Sequence, residues 1–189
     1  MIITSEQQEQ LDFYVDFLHK WNSAYNLTAI RDKAKIVTHH IVDSVAVVPY
    51  LAGCQRVLDV GTGAGLPGVV IAILCPYQSI CLLDSNGKKI RFLKQLKHEL
   101  KINNIEIIQE RIEKFQTTPC FDGIISRAFG SINELIQGSK HLLCSKGHWY
   151  AMKGNYPEAE LKELAYRYRV EKLTIPELEE QRHLVIVEE

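Results

Sequence analysis

The 189-residue sequence predicts an α/β fold, a mostly parallel seven-stranded sheet covered on both faces and preceded by helices. Three observations carry this reading. After residue 53, short apolar runs alternate strictly with amphipathic segments. A cluster of glycines, Asp59-Val60-Gly61-Thr62-Gly63-Ala64-Gly65-Leu66-Pro67-Gly68, joins one apolar run to the next. Residues 1–52, by contrast, carry their apolar side chains at helical spacing.

In that first stretch, Ser5-Glu6-Gln7-Gln8 reads as a capping box, followed by Leu11, Val15 and Leu18 on one face. Turn-forming residues from Asn22 to Thr28 end the helix, and a second runs from Lys33 to Tyr50 with Ile36, Val37, Ile41, Val45 and Val48 aligned. Residues 1–52 are thus expected to form a helical cap on an α/β domain of residues 53–189, the two making one compact unit. The strands are expected at 56–60, 79–84, 105–109, 121–126, 148–152, 169–175 and 183–187. Helices are expected at 67–74, 87–101, 131–143 and 157–167, with Ile90, Leu93, Leu96 and Leu100 buried in the second of these. Ligands in such folds sit beyond the carboxyl ends of the strands, where the strand order reverses.

The glycine run has the strand–turn–helix setting that brings backbone close to a nucleotide-like ligand. Pro67 suits the first turn of the following helix. Gly63-x-Gly65-x-x-Gly68 satisfies the dinucleotide fingerprint, and Asp84 follows about twenty residues on, where a ribose-binding acid belongs. Asp59 argues against a dinucleotide. A carboxylate beside the turn repels a pyrophosphate and favours a cationic sulfonium and amine. The loop therefore reads as an S-adenosyl-L-methionine site. Asp84 alternatively caps the next helix, with Ser85 and Asn86 as competing caps.

Composition bounds the rest. At 46% apolar and 24% charged residues, the chain is ordinary globular protein, and its net charge of −1 excludes a globally cationic nucleic-acid binder. Lys88, Lys89, Arg91, Lys94 and Lys97 on one helix, with Arg31, Lys33 and Lys35, are candidates for a local phosphate-binding rim; a solvated helix face is the plainer reading. The N-terminus, from Met1, lacks a signal-peptide pattern, and the longest apolar run, Val69 to Cys75, is seven residues. Five cysteines, odd in number and without C-x-x-C, are expected as reduced thiols rather than a disulfide or metal framework. No metal site is expected, His39 and His40 reading as packed or capping residues. The expected location is cytoplasmic, and nothing suggests more than a monomer.

Several motifs together resemble one family. They are the glycine run, Leu83-Asp84-Ser85-x-Gly87-Lys88-Lys89-x-Arg91-Phe92-Leu93, and Ile125-Ser126-Arg127-Ala128-Phe129. Flanking signatures are Trp21-Asn22-x-x-Tyr25-Asn26-Leu27-Thr28, His40-x-x-Asp43-Ser44, Lys153-Gly154 and Arg182-His183-Leu184-Val185. Over nearly its whole length the chain is similar to the glucose-inhibited division protein B family of 16S rRNA guanine-N7 methyltransferases. The resemblance implies a class I S-adenosylmethionine-dependent methyltransferase fold, Rossmann-like, with an N-terminal helical extension. It implies methylation of one guanosine, guanosine 527, in the 530 loop of bacterial 16S rRNA within the small ribosomal subunit. Glu180 stands where many relatives carry glycine, and the acidic tail Val187-Glu188-Glu189 departs from their frequent lysine.

Gly61, Gly63, Leu66, Asp84, Ile112, Glu113 and Arg127 are the candidate cofactor-binding residues. Gly61 and Leu66 match family cofactor positions, Ile112 and Glu113 match the adenine-contacting pair, and Arg127 matches a position at the cofactor. At the carboxyl end of a strand, Arg127 is also suited to a phosphate or a guanine edge. Guanine N7 carries an in-plane lone pair, so its methylation requires no general base, and no catalytic residue is assigned. Alternatives are a non-catalytic ribosome or RNA binder, and an NAD(P)-dependent oxidoreductase. Pro119-Cys120 reads as a turn rather than a nucleophile.

Overall fold

The computed structural model describes residues 2–127 and 129–189, so Ala128 of the third motif and Met1 lie outside the described residues. Helix α1 (Ser5–Tyr25) is capped one residue earlier than expected, by Thr4 and Gln7, and ends at a left-handed Asn26. It runs past Asn22 because that side chain is buried, bonding Ile30 O and the Thr28 N–H instead of breaking the helix. The expected second helix is broken up: α2 (Lys33–Ile36), a π-helical stretch Val37–Val42, α3 (Asp43–Val45), and a 3₁₀ turn Val48–Leu51. Pro49 in that 3₁₀ turn provides no backbone N–H to continue a regular helix.

The remaining elements alternate as β1 (Arg56–Val60), α4 (Gly68–Leu74), β2 (Ser79–Leu83), α5 (Gly87–Leu100), β3 (Ile105–Ile108) and β4 (Phe121–Arg127). Then come α6 (Ile132–Ser139), β5 (Leu143–Lys153), the short α7 (Glu158–Lys162), β6 (Tyr168–Leu173) and β7 (Arg182–Glu188). The strands form one seven-stranded sheet in the order β3-β2-β1-β4-β5-β7-β6. Neighbours from β3 to β5 pair in parallel, and β7 runs antiparallel to both β5 and β6. The chain moves outward from β1 to β3 and returns to β4, so the strand order reverses between β1 and β4.

Strand periodicity divides the core between the two faces. Ile80 and Leu82 of β2 face a cluster built with Leu11, Tyr14, Val70 and Phe92, whereas Cys81 and Leu83 face one with Ile132, Ile136 and Trp149. In α5, Phe92 is fully buried beside Leu93 and Leu96, while Leu100 is half-buried. Its ring meets Phe17 and Trp21 of α1 at centroid distances of 5.7 and 5.6 Å, fastening the N-terminal helix to the α/β layer.

The cysteine expectation is corrected in part. Cys54, Cys75 and Cys81 are free and buried, but Cys120 and Cys144 form a disulfide with Cα atoms 5.1 Å apart. Parallel pairing of Phe121 with Leu143 brings these two residues side by side, a consequence of register that their spacing in the sequence does not reveal. Cys120 therefore offers no free thiolate, and it sits at the amino end of β4.

Candidate active site

The loop after β1 is held by three hydrogen bonds from different directions. Thr62 N donates to Leu83 O at 3.1 Å, Thr62 Oγ1 to Asp59 Oδ2 at 2.6 Å, and Gly68 N to the same carboxylate oxygen at 2.8 Å. Gly61 and Gly65 adopt φ of +65° and +95°, values that a side chain would strain. At Gly65 a Cβ would also press on Leu93 Cδ2 at 2.8 Å.

This geometry overturns the reading of Asp59. Its carboxylate is 0% exposed and points beneath the turn, toward the start of α4, where it takes up an otherwise unpaired helix N–H. It does not line the cleft, so charge repulsion of a pyrophosphate is not its role. Burial pushes its carboxyl up to about 6, with Thr62 and Gly68 donating against that shift. Pro67 likewise stands just outside the helix, as its N-cap rather than in its first turn.

Gly61, Asp84, Ile112 and Glu113 line a single cleft at the carboxyl ends of β1 and β2. Asp84 follows β2 and is 7% exposed. Its Oδ2 accepts from Gly63 N at 2.9 Å and its Oδ1 from Asn86 N at 2.8 Å, with Lys89 Nζ at 3.5 Å. Asn86, not Asp84, caps α5, its side chain accepting from Lys88 N. Three of the carboxylate's roughly four acceptor sites are thus taken, and Oδ1 keeps lone-pair capacity. Ile112 supplies a buried apolar wall, and a Cβ at Gly61 would stand 3.3 Å from Phe129 Cδ2. A carboxylate with an open acceptor site, an apolar wall and a backbone cradle suit a ribose and its flat base.

Two of the seven candidates lie elsewhere, and one stands behind the lining. Gly63 shapes the cleft through its bond to Asp84 without lining it. Leu66 is 3% exposed and belongs to the core cluster, because the turn folds its side chain inward. Arg127 lines a second cavity, of about 540 Å³. Ser85, Glu110, Arg111 and Phe129 also line the first cleft, with the strand ends Val60 and Leu83, and no spacing in the sequence singles them out as ligand contacts. The position of Phe129, just beyond Arg127 in a quoted motif, was the available signal.

The second cavity collects the flanking signatures, including Thr28, His40, Asp43, Lys153, Arg182 and His183. Arg127 Nη1 donates to His39 O at 3.0 Å, His40 Nδ1 at 3.1 Å and Asp43 Oδ2 at 3.3 Å. Arg182 Nε lies 3.3 Å from Asp43 Oδ1. Burial raises the Asp43 carboxyl against the opposing pull of these two guanidiniums. Burial, with Arg127 adding to it, brings His40 down to about 4. His40 Nδ1 lies 3.1 Å from Arg127 Nη1 and 3.0 Å from His39 O, and its Nε2 lies 2.7 Å from Thr28 Oγ1. Glu180 reaches His39 at the rim, 3.5 Å away.

Of the basic candidates, Lys33 pairs with Asp16, Arg31 bonds Asn26, and Lys97 donates to Ile105 O at 2.6 Å. Among the described residues no cluster of metal-ligating side chains is present, and no helix is long and apolar enough to cross a membrane.

Comparison with known proteins adds the family. A model of the GidB family, described as rRNA small subunit methyltransferase G, matches residues 7–185. The chain is 50% identical over 188 residues to the ribosomal RNA small subunit methyltransferase G of Escherichia coli (strain K12 / DH10B), covering 98% of this chain and 90% of that one. The same figures hold for the protein of that name from Shigella boydii. Among solved structures, a SAM-dependent methyltransferase from Aquifex aeolicus matches with a TM-score of 0.61 at 15% identity, over 82% of this chain and 92% of its own. A precorrin-6y C5,15-methyltransferase from Geobacter metallireducens matches at 0.61 and 14%, over 77% and 88%. These structural likenesses carry the fold, that of class I S-adenosylmethionine-dependent methyltransferases. The chain belongs to the rRNA small subunit methyltransferase G family.

Proposed function

We propose that this protein transfers a methyl group from S-adenosyl-L-methionine to N7 of guanosine 527 in the 530 loop of bacterial 16S rRNA, acting as a monomer in the cytoplasm. The observation that carries the reading is the pairing of two recesses along one edge of the sheet. Gly61, Asp84, Ile112 and Glu113 line the first, and Arg127, Asp43 and Arg182 the second. The first lies at the carboxyl ends of β1 and β2 and the second at those of β4 and β5, on either side of the reversal of strand order between β1 and β4.

In this reading Asp84 accepts a ribose hydroxyl, while Ile112 and Glu113 flank the adenine and Gly61 leaves its backbone open to the ligand. Gly63 acts through Asp84. S-adenosyl-L-methionine, when bound, supplies an electrophilic methyl carbon on a positively charged sulfur. The second recess receives the guanine. Free N–H groups of Arg127 and Arg182 there match the acceptors on its N7–O6 edge. Since N7 attacks with a lone pair, no side chain has to remove a proton. The residues contribute by alignment, which in favourable systems is worth about 7–11 kcal/mol.

The test has two arms. Calorimetric titration with S-adenosylmethionine and with NAD decides the class of ligand, with binding of the former expected. Radiolabelled methyl transfer to small ribosomal subunits from a strain lacking the activity, with mass-spectrometric mapping of the product, decides the reaction and base. Cofactor binding without incorporation would establish a non-catalytic RNA binder instead.

A further inference from the structure

We infer that Asp43 is a positioning residue: its buried carboxylate, set between Arg127 and Arg182, fixes both guanidiniums at the second cavity in the orientation that aligns the target base. The inference rests on the reading of that cavity as the base-receiving recess.

The Asp43 side chain is 3% exposed, while the arginines flanking it are each 21% exposed. A carboxylate is thus sunk in the wall with a guanidinium on either side and nearer to solvent. One oxygen serves each partner, Oδ2 for Arg127 and Oδ1 for Arg182, both at 3.3 Å. The second contact lacks hydrogen-bond alignment, so Oδ1 is a buried oxygen without a satisfied bond. Asp43 lines the second cavity together with the two arginines it holds.

The donors left over point the same way. Arg127 commits Nη1 to His39, His40 and Asp43, and Arg182 commits Nε to Asp43 and Nη1 to Gln181 O. Arg127 Nε and Nη2 and Arg182 Nη2 make no hydrogen bond with any described residue. A neutral His40 adds no positive charge beside them. Charge considerations favour the same arrangement. Methyl transfer moves the positive charge from sulfur to the purine, so a base flanked by two arginines would be destabilised as it reacts. The Asp43 carboxylate behind them offsets that repulsion.

Three measurements test this. In the wild-type protein labelled with ¹⁵N-arginine, the Arg127 Nη–H and Arg182 Nε–H signals should exchange with water much more slowly than the corresponding signals of exposed Arg169. Exchange as fast as that of Arg169 would overturn the inference without any variant or activity. Asp43→Asn should retain a cooperative thermal transition and bind S-adenosylmethionine within about twofold of wild type. Its kcat for small-subunit methylation should fall about a hundredfold, the scale of a misplaced reacting group, with KM changed little. In an Arg182→Ala background the same substitution should cost several-fold less, since its partner is already gone. An undiminished loss in that background, or wild-type kcat in the single variant, would also refute the role. If the wild-type protein methylates no rRNA yet its arginine signals are protected, the proposed reaction fails while the clamp itself stands.

Discussion

The Tyr14 hydroxyl donates to the Ala64 carbonyl at 2.6 Å, joining the N-terminal helix to the glycine loop. Tyr14 is 0% exposed, and burial drives its phenol well above the ordinary tyrosine range, so it remains a donor at any working pH. The helical extension thus helps set the shape of the loop on which the cleft depends. Tyr14→Phe leaves that buried carbonyl without a partner and should destabilise the protein by about 1–3 kcal/mol. Urea unfolding measures the loss, and calorimetry should register weaker S-adenosylmethionine binding alongside it. A variant of unchanged stability and affinity would show that the bond is incidental.

Two buried groups act in opposite directions over one pH window. Asp59 is raised to about 6 from an unfolded value of about 3.9, so its share of stability is complete below pH ~4 and lost as pH rises through ~6. His40 is lowered to about 4 from about 6.5, so its share is present above pH ~6.5 and lost as pH falls through ~4. Each shift corresponds to about 3 kcal/mol, and the two largely cancel. Relative to wild type, Asp59→Asn should therefore gain stability as pH rises from about 4 to 6.5, and His40→Gln should gain it as pH falls. Unfolding free energies measured across this window decide the matter, and parallel profiles for all three proteins would contradict it.

Asp84→Ala removes the acceptor for Gly63 N and Asn86 N as well as any ribose contact. Charge-assisted bonds are worth about 1.5–3 kcal/mol, so affinity for S-adenosylmethionine should fall by about tenfold to a hundredfold. Asp84→Asn keeps the shape and one acceptor oxygen, and should lose less. Equal affinity in all three proteins, measured by calorimetry, would remove Asp84 from the site.

At Gly61 the backbone is left-handed and the space beyond the α-carbon is closed by Phe129. Gly61→Asp adds strain of about 1–2 kcal/mol and fills the cleft with a carboxylate. Cofactor binding should vanish while thermal unfolding remains a single cooperative transition. Retained affinity would place the ligand elsewhere.

Gly68 is governed by packing alone. A Cβ there would collide with Leu82 Cδ2 and come within 2.7 Å of Asp59 Oδ2, so α4 could not sit against β2 as it does. Gly68→Ala should cost about 1–3 kcal/mol, as overpacking does, and lower the melting temperature even without cofactor. An unchanged melting temperature would mean that the helix can shift freely.

The alternation of strands and helices was legible from residue 53 onward because apolar periodicity is local, and the glycine loop was legible because its backbone demands are local too. Asp84 stood out for the same reason, at the end of a readable strand and a fixed distance from the loop. Ile112 and Glu113 carried no such signal and were reached through family resemblance. What spacing could not give was direction and distant company. Asp59 looked like a residue facing the ligand until α4, packed against β2, turned its carboxylate inward to cap a helix. Cys120 and Cys144 became partners only through the register of β4 on β5. Arg127 is held at the second cavity because the π-helical stretch at Val37–Val42 brings His39 O and His40 within its reach, with Asp43 just beyond. Local sequence fixes which residues can form a turn or a strand. Which side chains meet across the sheet depends on contacts between segments far apart in the chain, and packing alone selects them.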